Sequence, residues 1–168
     1  MSCGFRLRHF KANVTIGFSV GVALLIAGCG TVVIRKEITR QADGWTIVLQ
    51  RLRDGPNSVG PVGNTVYHPE PGMRFIHAFL RFKNDDRQTR KFSYDACDLD
   101  LDDEFVVPAI VTRYNGLMSV IDKDESYPPA DVSYRALAFS YPVGRFPKRL
   151  KCALMTFDIP QGPVAASH

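Results

Sequence analysis

Twelve consecutive residues, Met73 to Asn84 (MRFIHAFLRFKN), constrain the fold more than any other stretch. Ile76, Ala78, Leu80 and Phe82 recur at every second position, while His77, Arg81 and Lys83 alternate with them and share the opposite side with Phe75 and Phe79. Period two is the repeat of an extended strand; a helix would scatter the same residues around its circumference. Such a strand needs full cover on its apolar side and partial cover on the other. The rest of the chain must therefore supply a second layer.

Other segments follow the same rule. Trp45, Ile47 and Leu49 are in phase in GWTIVLQRL, as are Leu137, Phe139 and Tyr141 within Tyr134 to Val143. Further strands are expected over Leu150 to Phe157, Phe92 to Leu101 and Phe105 to Val111, the last two joined by the acidic turn Asp102-Asp103-Glu104. Helical periodicity is scarce. About seven short antiparallel strands punctuated by Gly, Pro, Asp and Asn predict an all-β sandwich, because two half-buried sheets must cover each other's apolar faces. Two stretches read as loops: 53–72, rich in Gly and Pro and long for a compact domain, and 115–131.

The amino-terminal segment has a different logic. Arg6, Arg8 and Lys11 precede Ala12 to Ala27, a run without charge that closes on small residues. A basic end, an apolar middle and a small-residue processing site form the plan of an export signal. The run is short for a bilayer span, which takes roughly 20 apolar residues. Its end, Leu25-Ile26-Ala27-Gly28-Cys29, resembles the lipobox of bacterial lipoproteins. That resemblance implies cleavage after residue 28 and a lipid on Cys29, with Ile26 in the aliphatic position and Ala27 and Gly28 in the small ones. Palmitate and the other acyl chains expected there would each add about 0.8 kcal/mol per buried methylene, so several chains would hold the protein stably to a membrane. Gly30 is not Asp, and by the sorting pattern of enteric-type lipoproteins the chain would go to the outer membrane, facing the periplasm, in a Gram-negative cell. The alternative is a buried cysteine in an apolar helix.

Removal of the signal changes the charge and cysteine counts. Three of the 21 basic residues leave with it, so 18 face 17 acidic ones, and no basic cluster interleaved with aromatics remains to suggest nucleic acid. Of four cysteines, Cys3 leaves and Cys29 takes lipid. Cys97 and Cys152 are left in an oxidising compartment, where an even remainder favours a disulfide; two separately buried thiols are the alternative.

Three longer stretches, PGMRFIHAFLRFKND, FSYDACDLDLDDEFVVPA and RALAFSYPVGRFPKRLKCALM, are similar to the immunoglobulin-like domain of unknown function found in small bacterial lipoproteins and secreted antigens. The similarity spans most of residues 44–158 and rests on Pro71, Gly72 and Asn84, the acidic turn, and Leu137, Phe139 and Pro142. An expected Gly in that turn is replaced by Asp103 or Glu104. The resemblance implies an immunoglobulin-like sandwich acting as an accessory or binding module, without catalytic residues or cofactor. The chain then divides into a signal peptide (1–28), a lipidated start with a short tether or first strand (29–43), the sandwich (44–160) and a tail (161–168).

Asp98, Asp100 and Asp102 have the opening spacing of a calcium loop, but Ala109 stands where the closing Glu belongs, and alternate acids on a strand are expected to form a solvated face. No nucleophile elbow, HExxH or phosphate loop occurs, so a hydrolase would have to be assembled from distant loops. The expected function is non-catalytic binding of another envelope protein, with Tyr67, Tyr114 and Tyr127 as contacts, since tyrosine offers area and a polar handle. The alternative from another class is a periplasmic metal or small-ligand carrier using His68, Met73 and His77, whose imidazole and thioether groups suit copper.

Overall fold

The computed structural model describes residues 31–102, 104–114 and 119–160. The signal peptide, Cys29 and the 161–168 tail lie outside them. No described helix is long and apolar enough to cross a membrane.

The chain is an antiparallel β-sandwich. It opens with β1 (Thr31–Ile34), β2 (Ile38–Ala42) and β3 (Trp45–Asp54), followed by β4 (Val59–Val62), β5 (Thr65–Tyr67) and the long β6 (Met73–Asn84). Next come β7 (Arg90–Ser93), a 3₁₀ turn (Tyr94–Ala96), β8 (Cys97–Leu101), β9 (Glu104–Val106), β10 (Ile110–Arg113) and β11 (Ser119–Val120). The last strands are β12 (Asp124–Tyr127), β13 (Val132–Pro142), β14 (Arg149–Cys152) and β15 (Met155–Asp158). One sheet has the order β1-β3-β6-β13-β10-β11 with β2 also on β3, and the other is β15-β14-β8-β9. In the lettering of immunoglobulin-like sandwiches, β3, β6, β13 and β10 take positions A, B, E and D, while β8, β14 and β15 take C, F and G.

Strand β6 organises the first sheet. It pairs with β3 on one edge and along its whole length with β13 on the other, from Lys83 opposite Val132 to Met73 opposite Pro142. Ile76, Ala78, Leu80 and Phe82 are buried against Leu99, Leu101, Leu150 and Phe157 of the second sheet, in one core. Each Ile, Leu or Phe among them contributes about 1.5–3 kcal/mol on burial. Trp45 closes one end of this core edge-on to Phe92 at 5.1 Å and to Tyr127 at 5.2 Å.

Several expected strands are divided, each for a local reason. Phe105 to Val111 splits at Pro108, which cannot donate to a ladder, and the two halves join different sheets. Leu150 to Phe157 is a tight hairpin whose left-handed turn residue is Ala153, at φ 51°. The two turn residues shift the alternation, so Leu150 and Cys152 on one strand and Met155 and Phe157 on the next all point inward. Phe92 to Leu101 is interrupted by the 3₁₀ turn. The acidic turn is present, with its left-handed residue at Asp102, at φ 52°; Asp tolerates this conformation better than most residues. Fifteen strands among the described residues thus exceed the expected seven, most of the surplus being short pieces at the edges.

Strands occur in both expected loops among the described residues. Residues 53–72 contain the β4–β5 hairpin, which folds back over the outer face of the first sheet and packs Val59 and Tyr67 against Phe75 and Ala138. Within 115–131, β12 pairs with β7. Of the two alternatives for 29–43, the described part from Thr31 is strand, so the sandwich begins ahead of residue 44.

Cys97 and Cys152 stand opposite each other on β8 and β14 and are disulfide-bonded, with Cα atoms 3.9 Å apart. The bridge lies within one sheet, between positions C and F, unlike the inter-sheet B–F bridge of antibody domains. It closes a separation of 55 residues. In the chain-entropy treatment its loss should cost about 4 kcal/mol. Urea titrations with and without reductant are expected to show this shift, and a Cys97→Ala, Cys152→Ala variant should unfold at the reduced midpoint in both.

Candidate functional site

The outer face of the first sheet collects side chains from four strands. Strict alternation would turn Arg51 inward with Leu49, but β3 carries a bulge between them: Leu49 faces Leu80, and Arg51 faces Phe79. The extra residue lets Leu49 and Leu52 both enter the core and leaves Arg51 on the outside, the re-aiming that bulges perform. The Arg51 guanidinium lies over the Phe79 ring, 4.3 Å from its centroid. Phe79 meets Tyr114 edge-on at 5.4 Å, and Tyr114 meets Tyr134 at 5.8 Å. Arg81 joins this row, because it is opposite Val48 on one side and Tyr134 on the other.

Tyr114 is half-buried, and its hydroxyl donates to Gln50 Oε1 at 2.5 Å; Gln50 Nε2 donates in turn to Glu37 at 3.0 Å. Burial, with the Tyr134 phenol adding to it, pushes the Tyr114 hydroxyl up to about 12, so it is a neutral donor at physiological pH. Neither Arg51 nor Arg81 makes an ion pair among the described residues. Two unneutralised guanidinium groups beside three rings can stack on planar groups and grip carboxylates through paired N–H donors.

Beside this row, the β4–β5 hairpin borders a cavity of about 130 Å³ lined by Arg53, Val59, His77, Phe79, Thr112 and Ala138, among others. His77 is buried there, and its Nε2–H donates to the Pro56 carbonyl at 2.9 Å. Burial holds its imidazole below the usual 6.5, and Arg53 acts in the same direction, against the Pro56 hydrogen bond and Asp54. Met73 and His77 share this face, but Phe75 stands between them with its ring 6.0 Å from the imidazole, and His68 is exposed beyond β5. The proposed metal ligands are therefore not brought together. Among the described residues no group of three or more His, Cys, Asp or Glu could hold a metal ion.

The other sequence candidates separate as well. Tyr114 lies in the outer-face row, and Tyr67 is half-buried in the small hairpin core. Tyr127 is fully buried, which excludes it as a surface contact. Its hydroxyl is 2.5 Å from that of Tyr94, which donates to Glu125 at 2.6 Å. Arg135, also buried, donates from Nε to Tyr94 at 2.9 Å and to Glu125 at 2.8 Å. Burial raises the Glu125 carboxyl, but the hydrogen bonds from Arg135 and Tyr94 and the Arg135 charge outweigh it and hold the group below its ordinary value. This network satisfies a charge inside the sandwich end, where an unpaired one would cost several kcal/mol. Asp100 likewise departs from the expected solvated face, since it is buried and bound by Arg149. Asp102, exposed and paired with Lys148, fits that expectation.

No protein-family profile matches the chain, and no curated protein does. Among solved structures it is similar to a conserved hypothetical protein from Bacillus anthracis, with 17% identity and a TM-score of 0.55 over 77% of this chain and 95% of that one. It also aligns with an uncharacterized β-sandwich protein from Clostridium difficile 630, with 15% identity and a TM-score of 0.47 over 71% and 82%. The first likeness supports the fold.

His77 makes stability depend on pH. The unfolded chain takes up a proton near 6.5 while the folded imidazole resists it, so stability is complete above that value and is lost as pH falls below it. Urea midpoints of the wild type should drop between about pH 7.5 and 5.5, and His77→Gln should flatten that drop. An equal drop in both proteins would show that His77 is not the group responsible.

Proposed function

We propose that this protein is a lipid-anchored lipoprotein of the cell envelope, held by Cys29, and that it works as a non-catalytic binding module. Its outer sheet face takes an acidic, planar-rich segment of another envelope protein. One observation carries the reading: the continuous row of Arg51, Phe79, Tyr114 and Tyr134, half-open to solvent, with no ion pair to Arg51 among the described residues. Tyrosine and arginine are the side chains most often found to dominate protein interfaces, because they bring large contact area and oriented donors together. The lipobox-like LIAGC supports the address, and the Cys97–Cys152 bridge fits an oxidising compartment.

Two measurements test the two halves of this reading. Cys29→Ser should release the protein from the membrane fraction, and equal retention would refute the anchor. Chemical crosslinking in intact cells should give a defined adduct that is lost in the Arg51→Ala, Phe79→Ala variant. Truncating each side chain is expected to cost about 2 kcal/mol, or roughly 30-fold in affinity. An undiminished adduct would move the interface elsewhere.

A further inference from the structure

The two ends of the sandwich differ, and the chain start belongs to one of them. Thr31, the first described residue, is opposite Asp54, at the far end of β3 from Trp45. Cys29 precedes Thr31 by two residues, which span at most about 7 Å. Whatever holds Cys29 therefore holds this end of the domain close to it.

This end is built around a cavity of about 210 Å³ between Val33, Asp54, Arg74, Tyr141, Phe146 and Ile159, among others. Its polar groups are satisfied by one another. Arg74 pairs with Asp54 at 2.6 Å, the Tyr141 hydroxyl donates to Asp54 at 3.0 Å, Arg145 lies 3.4 Å from Glu104, and Lys148 pairs with Asp102. Two apolar side chains project from the β13–β14 loop at its rim, Val143 at 63% exposure and Phe146 at 53%. The loop is held firmly beneath them: the Val143 N–H donates to the Gly72 carbonyl at 3.0 Å, and Arg145 donates to the Leu101 carbonyl at 2.6 Å. At the opposite end the β6–β7 loop, Asp85 to Arg90, is polar and mostly exposed.

We infer that the Val143–Phe146 end rests on the lipid bilayer, with Phe146 and Val143 entering the boundary between headgroups and acyl chains. The inference rests on the anchor at Cys29 proposed above and adds the face that meets the membrane. The charged groups lining the cavity are paired, which lowers the cost of bringing them to a membrane surface, while two exposed apolar side chains gain by leaving water. The domain then stands upright on its anchor, and the Arg51–Tyr134 row, on the side of the sandwich, remains open to a partner.

The native sequence has a single tryptophan, Trp45, buried at the end away from the membrane, so indole fluorescence can read the orientation. The purified full mature protein carrying Phe146→Trp would be reconstituted into phosphatidylcholine vesicles with plain or brominated acyl chains. Leu154→Trp, at the far end of β14 and 79% exposed in the native protein, is the orientation control. The indole introduced at position 146 should lose emission in brominated vesicles and shift to shorter wavelength, while that at 154 and Trp45 should not change. Equal emission from the 146 indole in both vesicle types overturns the inference. A blue shift without bromine quenching overturns it too, by placing Phe146 against protein, whether a second copy or a partner. Intact mass on the same sample separates the two claims: an unmodified Cys29 removes the anchor and this face with it, and a lipidated Cys29 with no quenching removes the face alone.

Discussion

The pairing of β6 along both edges is the interaction on which the rest of the structure depends. With β3 on one side and β13 on the other, it fixes which residues of three strands face the second sheet and which face outward. The inward set is almost wholly apolar and supplies the large hydrophobic term that offsets chain entropy. Everything on the outer face is placed by the same register. A slip of one residue would exchange the two sets, bringing Arg81 and Lys83 into the core.

The single bulge in β3 shapes the candidate site on this scaffold. Because one extra residue is accommodated between Leu49 and Arg51, the apolar set continues at Leu52 and the guanidinium of Arg51 lands on Phe79. The β4–β5 hairpin covers the neighbouring part of the face, so the exposed row is bounded and the hairpin lines one side of the cavity at His77. An anchor at Cys29 would give the module an orientation, with one end toward the membrane and this face to the side.

Much of the sandwich was legible because alternation is a local property. Alternation places Ile76, Ala78, Leu80 and Phe82 on the inner side, and Leu137, Phe139 and Tyr141 likewise, and the structure buries all seven. What escaped was set by residues distant in sequence or by single-residue changes of phase. The bulge in LQRL gives no sign in the alternation through Leu49; it shows only in the pairing with β6, where Leu52 returns to the core. Tyr127 looked like a loop tyrosine, but β12 pairs with β7 and carries it beneath Trp45 beside Tyr94 and Arg135. Asp100 resembled one acid of a solvated row because its neutralising partner, Arg149, is on β14. Pro108 was a visible clue to a strand break, yet only the topology shows that the chain changes sheets there. Of the outer-face row, Tyr114 was named from sequence, whereas Arg51, Phe79 and Tyr134 are brought to it by strand pairing.

On the function proposed for this protein, a partner reads the outer face of the first sheet. Site-specific photocrosslinking in living cells tests it most directly, with a benzophenone side chain placed at Tyr134 or, as the opposing site, at the exposed Phe105 of the second sheet. Light-dependent adducts to another envelope protein from position 134 and none from position 105 are the predicted result. Adducts from position 105 alone, or equally from both, would contradict it.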